Sequence, residues 1–291
     1  MMEQGDISMP EIAWINGTIY NLFEARVSFL DRGNLFGDGV YEVVRVYNQK
    51  PFALDKHLER LERSLSGIRL QHPLSRIKLQ SLILSLVEQA GFADAIVYLQ
   101  ITRGGGMRQH AFPVNSQATL AVFVAPAASP AKAQSEGVKI ITLPDDRWAH
   151  CYIKSINLLP NVLAKQTAKE KGAYEAVFIR DNTLVSEGSS SNVFAVIRGE
   201  IITPPADGHI LAGVTRGLCL EIARKAGYSA REEVVTIEEL RQAEEIILTS
   251  TTMEIIPVVE LDGNPVGRGQ PGSVAVRLLE EYKRCAGDAW L

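Results

Sequence analysis

Apolar and polar residues alternate in two segments near the start of the chain, and this alternation predicts two β-hairpins. The first joins residues 12–15 to residues 18–20 through Asn16-Gly17, a dipeptide that tolerates the positive φ angles of a two-residue turn. The second runs along residues 40–47 and returns through residues 52–54. Side chains that alternate with a period of two lie on opposite faces of such strands.

Helical spacing replaces this alternation after the second hairpin. Leu58, Leu61 and Leu65 form one stripe of a first predicted helix. A second helix is predicted between Ser75, an N-cap residue type, and Gly91, a residue type common just past a helix end. Strands at residues 95–102 and 118–124 complete the first half of the chain.

A segment rich in Pro, Ala and Ser separates the two halves and contains no large apolar residue. We therefore predict an N-terminal domain at residues 1–125, a linker at 126–136 and a C-terminal domain at 137–291. The second half is predicted to hold strands at 138–143, 174–179, 193–197, 245–248 and 255–261, and helices at 159–171, at 215–226 and from 273. These elements do not form regular βαβ units, so the predicted fold is α+β, two domains with mixed sheets and helices.

Composition and charge exclude several classes of protein. The net charge of -4, with no cluster of Lys and Arg, argues against nucleic-acid binding. The longest nearly continuous apolar run, residues 118–128, is too short to span a bilayer, and the start lacks a signal-peptide pattern. Cys151, Cys219 and Cys285 are widely spaced, which favours reduced thiols and no metal site. We expect a soluble cytoplasmic protein without a membrane partner.

Lys154 lies in an uncharged, mostly apolar window of residues 151–159. Removing an ammonium from water is costly, so burial favours the free amine that forms a Schiff base with a carbonyl. The alternative is a lysine that extends from a strand edge into water, as expected for Lys139, and composition alone favours that alternative.

Glu187 precedes Gly188 and three consecutive serines, in a predicted loop between two strands. A carboxylate in this setting can pair with a protonated ring nitrogen and keep a heteroaromatic cofactor electron-withdrawing. Because Gly and Ser are also common turn residues, a polar surface turn is the alternative interpretation.

Three further segments carry candidate anion-binding groups. Residues 211–216 run into a predicted helix, so that Val214 and Thr215 present N–H groups at its positive end, although a plain Thr cap is the alternative. Residues 249–252 are all hydroxyl-bearing and end a strand. The glycine-rich loop 103–110 brings Arg108 and His110 to one side if it is extended, as donors for a carboxylate; a solvated loop is the alternative. No nucleotide-binding glycine motif is found.

Taken together and in this order, these segments resemble the D-amino-acid aminotransferases, a family of fold-type IV enzymes that use pyridoxal 5'-phosphate (PLP). The resemblance extends from about residue 12 to about residue 260. The matching segments are residues 31–44, 102–110, 153–166, 187–194, 213–216 and 249–252.

The resemblance implies a role for each matching residue. Lys154 corresponds to the Schiff-base lysine, which also moves the substrate proton, and Glu187 to the partner of the pyridine nitrogen. Leu211 corresponds to the side chain behind the ring, and Ser189, Ser190 and Ser191 to residues that support it. The residues that resemble the phosphate-binding set are Arg60, Val214, Thr215, Ser250 and Thr251. Those that resemble the trap for the substrate α-carboxylate are Tyr41, Arg108 and His110.

The implied reaction is a ping-pong transamination, in which D-alanine and 2-oxoglutarate give pyruvate and D-glutamate. The resemblance also implies a homodimer. The alternatives within the fold are an aminotransferase for L-branched-chain amino acids or (R)-amines, and aminodeoxychorismate lyase. Arg108 and His110 argue against the first two, because this paired trap suits an α-carboxylate and resembles that of the D-specific enzymes. A PLP-binding protein without turnover is a further alternative, which the presence of both Lys154 and Glu187 disfavours.

Overall fold

The computed structural model describes residues 11–287, which form two compact units. The first comprises the described residues up to Ala127 together with Ile153–Asn157, and the second comprises Ala128–Tyr152 and the described residues from Leu158. Lys154 falls in the predicted C-terminal domain, residues 137–291, whereas its segment belongs to the first unit. The reason is backbone pairing, since Tyr41 N donates to Lys154 O at 2.9 Å and Ile156 N donates to Gly39 O at 3.1 Å.

The first unit contains one antiparallel sheet, with strand order β2-β1-β6-β5-β3-β4 over the described residues. Its strands are β1 (Ile12–Ile15), β2 (Thr18–Asn21), β3 (Gly39–Tyr47), β4 (Lys50–Pro51), β5 (Ala95–Thr102) and β6 (Thr119–Pro126). Its helices are α1 (Arg32–Phe36), α2 (Leu54–Gly67) and α3 (Arg76–Ala90), with a short 3-10 turn at Leu22–Glu24.

Strand β3 shows why the predicted alternation holds. Val40, Val44 and Val46 are fully buried and join the leucines of α2 and α3 in one core. The returning strand predicted at residues 52–54 is wrong, because β4 comprises Lys50–Pro51 and Leu54 already begins α2. The first hairpin is confirmed, with Asn16 and Gly17 at positive φ.

The second unit contains a mixed sheet with strand order β12-β11-β10-β13-β14-β7-β8-β9, and β15 pairs with β14. The α+β class is therefore confirmed, with the parallel pairs confined to this second sheet. Its strands are β7 (Val138–Pro144), β8 (Glu175–Arg180), β9 (Leu184–Gly188), β10 (Asn192–Ile197), β11 (Glu200–Thr203), β12 (Ala230–Glu232), β13 (Glu245–Ser250), β14 (Glu254–Leu261) and β15 (Asn264–Pro265). Its helices are α4 (Ala131–Glu136), α5 (Leu159–Glu170), α6 (Val214–Lys225), α7 (Ile237–Arg241) and α8 (Ser273–Gly287).

Two segments predicted as irregular are ordered elements. The predicted linker contains α4, which is tied to the second unit by buried Gln134, whose Nε2 donates to Glu254 at 2.8 Å. Glu187 lies within strand β9 and not in a loop.

Two general properties follow from the same description. None of the helices among residues 11–287 is long and apolar enough to cross a membrane. The three cysteines are free thiols, and burial raises the pKa of Cys219 to about 12.

Candidate active site

Lys154 and Tyr41 are brought together in the first unit. The Lys154 Nζ lies 4.1 Å from the centroid of the Tyr41 ring, and the Lys154 backbone N–H donates to Ser64 Oγ at 3.1 Å. The side chain is half-buried. The amine therefore sits over an aromatic face on a segment that strand β3 and helix α2 hold in place.

Arg60 and His57, on helix α2, share the carboxylate of Glu42 on strand β3. Arg60 Nε donates to Glu42 Oε1 at 2.7 Å and Arg60 Nη2 to Glu42 Oε2 at 2.8 Å, while His57 Nδ1 lies 2.9 Å from Oε2. Burial alone would raise the pKa of Glu42, but the charge and hydrogen bonds of Arg60, with those of His57, lower it to about 2. The Arg60 guanidinium is thus fixed by a neighbour that is charged at neutral pH.

Glu42 was not predicted as a site residue, although the sequence carries a signal for it. A period of two places Glu42 on the same face as Val40 and Val44, and a charge on an apolar face requires a buried partner.

Arg108 and His110 are exposed and contact one aromatic ring in the first unit, that of Phe36. The Arg108 guanidinium carbon lies 5.2 Å from the ring centroid, and the His110 ring meets Phe36 edge-on at 5.6 Å. Buried Arg32 holds the loop by donating to Gln109 O at 2.6 Å and to His110 O at 3.2 Å. Arg108 and His110 are thus close together. Tyr41, the third residue of the predicted carboxylate trap, instead contacts Lys154 and Tyr98.

Glu187 has both carboxylate oxygens engaged within the second unit. Arg147 Nη1 donates to Oε1 at 2.6 Å. The backbone N–H of Leu211 donates to Oε2 at 3.0 Å, and Asn192 Nδ2 donates to the same oxygen at 3.2 Å. Because three donors from separate segments converge on it, the carboxylate has a defined orientation and is favoured in its charged form.

Arg147 was not predicted, and it also pairs with a second carboxylate. Its Nε and Nη2 donate to Asp145 at 2.8 and 2.9 Å, and its guanidinium lies 4.3 Å from the centroid of the Phe178 ring. Burial opposes the charge, but the hydrogen bonds to Asp145 and the charges of both carboxylates raise the pKa of Arg147 above its usual value. The run Asp145-Asp146-Arg147 offered only a weak sequence signal, because such runs are usually exposed.

Asn192 brings the two candidate anion-binding segments of the second unit to one place. Its Nδ2 also donates to Leu211 O at 2.9 Å, and its backbone is paired with Thr249 in the sheet. A Cβ on Gly213 would come within 2.1 Å of Asn192 Oδ1, so the start of α6 passes close to this side chain. The residues assembled around Asn192 are Glu187, Leu211, Gly213 and Thr249.

The start of α6 has the form expected of an anion site. Its N-cap, Gly213, makes no side-chain capping bond, and Val214 and Thr215 are buried in the first turn. The first N–H groups of a helix have no acceptor within the helix. Ser250 and Thr251, at the end of β13, are half-buried.

The hydroxyls of the three serines after Gly188 point to a different residue, Glu175. Ser190 Oγ and Ser191 Oγ lie 2.7 and 3.3 Å from Glu175 Oε2, and Ser189 Oγ donates to Oε1. Glu175 is fully buried, so these bonds satisfy a charge that would otherwise be costly. The serine side chains thus support the strand that carries Glu187.

Comparison with known proteins adds to this geometry. The family description Amino-transferase class IV matches residues 39–261. Among relatives, the D-alanine aminotransferase of Bacillus licheniformis is 42% identical over 257 residues, covering 88% of this chain and 90% of that protein. The D-alanine aminotransferase of Staphylococcus aureus (strain MSSA476) is 40% identical over 275 residues, covering 94% of this chain and 97% of that protein.

Solved structures agree with the fold. A T.th. branched-chain amino acid aminotransferase with pyridoxamine 5'-phosphate superposes with a TM-score of 0.88 at 27% identity, covering 96% of this chain and 95% of that one. The Escherichia coli branched-chain amino acid aminotransferase gives a TM-score of 0.87 at 25% identity, covering 93% of each chain. The resemblance inferred from the motifs is confirmed, and the chain belongs to the amino-transferase class IV family.

Proposed function

We propose that this protein binds PLP and transfers the amino group of D-alanine to 2-oxoglutarate, giving pyruvate and D-glutamate. The observation that carries the proposal is the Glu187 carboxylate, whose oxygens are oriented by Arg147, Asn192 and the Leu211 N–H. Such a fixed anion suits a protonated ring nitrogen. The names of the relatives supply the D-alanine substrate, and the paired donors Arg108 and His110 suit an α-carboxylate.

The residues present fit the phosphate of such a cofactor. The first turn of α6 is uncapped, and at its start a side chain on Gly213 would collide with Asn192. Thr249 Oγ1 and Arg216 Nε, which flank the candidate phosphate residues, are buried without a hydrogen-bonding partner in the described part of the chain. Helix N-termini and hydroxyl clusters are favourable surroundings for a phosphate.

PLP, when bound, supplies an aldehyde that accepts the amino group and a ring that stabilises the negative charge developing at the substrate Cα. In this proposal Lys154 attaches the cofactor and moves the proton at the substrate Cα. Glu187 holds the ring nitrogen in its protonated form. Leu211 packs behind the ring, and Ser189, Ser190 and Ser191 support it indirectly through Glu175.

The remaining candidates bind anions. We assign the phosphate to the residues Arg60, Val214, Thr215, Ser250 and Thr251. We assign the substrate α-carboxylate to the residues Tyr41, Arg108 and His110. Because one site serves both the amino donor and the acceptor, the two half-reactions alternate in a ping-pong sequence.

The test is a coupled assay on PLP-loaded protein, with D-alanine and L-leucine each offered with 2-oxoglutarate. Pyruvate from D-alanine, with little activity on L-leucine, supports the proposal. The reverse pattern would contradict D-specificity and favour a branched-chain activity like that named for the structural neighbours.

The role of Lys154 is tested separately by absorbance. Lys154→Ala is expected to lose the visible band of lysine-attached cofactor together with transamination. Lys139→Ala is the matched control, because Lys139 is exposed and pairs with Glu260 at 2.8 Å. If the band persists in Lys154→Ala, the lysine assignment is wrong.

We also propose that two copies of the chain associate. Several large apolar side chains of the first unit are exposed, including Phe23, Phe29, Met107 and Val114. Such exposure is typical of surfaces that become buried on association. Sedimentation of the purified protein should give twice the chain mass, and Phe29→Ser should shift it toward the monomer.

The free thiols support a reducing, cytoplasmic location.

A further inference from the structure

Arg147 links two buried carboxylates, those of Glu187 and Asp145, and Asp145 has no role in the chemistry proposed above. The side chains of Arg147, Asp145 and Glu187 are each less than a tenth exposed. One guanidinium serves both acids, with two hydrogen bonds to Asp145 and one to Glu187.

The charges of this cluster explain why two acids are present. One cation and two anions leave one net negative charge, which a protonated ring nitrogen can neutralise. If Asp145 were absent, Arg147 alone would cancel the charge of Glu187. Asp145 therefore leaves the negative charge of Glu187 available.

Loss of Arg147 would leave Glu187 and Asp145 as two buried acids without a cation. Two carboxylates that share a site cannot both stay ionised, so one takes up a proton at a raised pKa. In the intact cluster, burial opposes the ionisation of Asp145. The hydrogen bonds and charge of Arg147, with a hydrogen bond from Ser186, outweigh burial and lower the pKa of Asp145.

We propose that Arg147 is a positioning residue that keeps Glu187 ionised and correctly oriented for the ring nitrogen, with Asp145 as its charge-balancing partner. This inference rests on the proposed function, since it assumes that Glu187 faces PLP. Arg147 acts only through Glu187 and is assigned no contact with substrate.

Two further residues with titratable side chains contact the cluster, Cys151 and His209. Cys151 interacts electrostatically with Arg147, Glu187 and Asp145, and burial raises the pKa of its thiol to about 11. His209 contributes its backbone carbonyl, which lies 3.5 Å from Arg147 Nη2. The thiol is therefore neutral where carboxylates titrate. An ionisation between about pH 5 and about pH 8 belongs to the acid pair if it is absent from the wild type, appears in Arg147→Met and disappears when Asp145→Asn is added.

The experiment measures the dissociation constant of PLP by equilibrium dialysis across this pH range. Wild-type affinity is expected to show no carboxylate titration. Arg147→Met is expected to bind roughly ten- to hundredfold more weakly at the acidic end and to show a new ionisation. Arg147→Lys, which keeps the charge, should restore a pH dependence close to that of the wild type.

A double variant separates this role from a merely structural one. Adding Asp145→Asn to Arg147→Met removes the competing acid, so the new ionisation should disappear. Weakening of equal size at every pH, unchanged by Asp145→Asn, would overturn the inference while leaving PLP binding by the wild type intact. Failure of the wild type to bind PLP would instead refute the proposed function. Thermal unfolding of each variant without PLP identifies any that fail to fold.

Discussion

The guanidinium of Arg60 forms two parallel hydrogen bonds with the fully buried carboxylate of Glu42, at 2.7 and 2.8 Å. Bidentate pairs of this kind fix the plane of the guanidinium as well as its position. Strand β3 therefore presents Tyr41 on one face and, at the next residue, Glu42 on the other face, where it holds Arg60.

Replacing Glu42 should therefore weaken phosphate binding as well as stability. Glu42→Gln leaves Arg60 and His57 without their buried anion and is expected to cost about 3 kcal/mol of the free energy of unfolding. PLP affinity should fall with it, as measured by dialysis. Glu59→Gln is the control, because Glu59 lies on the same helix in an exposed ion pair with Arg76. Equal effects of the two variants would contradict a special role for Glu42.

The lowered pKa of Glu42 predicts that the stability of the protein depends on pH. Its pKa is about 2 in the folded protein, against 4.5 for a glutamate in the unfolded chain, so it stabilises the fold above about pH 4.5. This contribution is lost as the pH falls from about 4.5 toward about 2. His57 acts in the same direction, since burial lowers its pKa and the unfolded chain takes up the proton below about pH 6.5. Urea unfolding at a series of pH values should show that the free energy of unfolding of Glu42→Gln falls less on acidification than that of the wild type. An equal fall in both proteins would contradict the assignment.

Arg108→Ala should separate amino acids from simple amines. If Arg108 binds the α-carboxylate, its loss should lower kcat/KM for D-alanine by a factor that corresponds to about 2–4 kcal/mol of binding free energy. The kcat/KM for an amine without a carboxylate should change little. Arg76→Ala is the control, because Arg76 is engaged in surface ion pairs with Asp55 and Glu59. Equal losses for the amino acid and the amine would remove the carboxylate role from Arg108.

Gly213→Ala should disturb the site through Asn192. The new Cβ would lie 2.1 Å from Asn192 Oδ1, so Asn192 must move away from Glu187 Oε2 and Leu211 O. We expect PLP affinity to fall roughly tenfold, the loss of about one hydrogen bond to a charged group. Gly217→Ala on the same helix has nothing within 4 Å of its new Cβ and should raise helix stability by about 1 kcal/mol. A wild-type affinity in Gly213→Ala would show that Asn192 is not required.

Periodicity and turn chemistry determined much of the fold in advance. Strand β5 has the predicted bounds. Helix α3 ends at Ala90, and Gly91 follows it in the left-handed conformation, which glycine adopts without a steric penalty. Short elements were missed, among them β9 and α4, because a few residues carry too little periodicity to distinguish a strand or helix from a loop.

The amino-acid sequence by itself determined the family and the residues that carry its motifs, because those residues are contiguous and their types reflect the chemistry they perform. It could not show that Lys154 joins the first unit, because that depends on backbone pairing with a strand more than a hundred residues earlier. The partners of the key charges are likewise decided by the tertiary structure. Arg147 meets Glu187, and Glu175 collects three serine hydroxyls, only because the second sheet brings distant strands side by side. A buried charge requires a partner, but which residue supplies it is settled by packing.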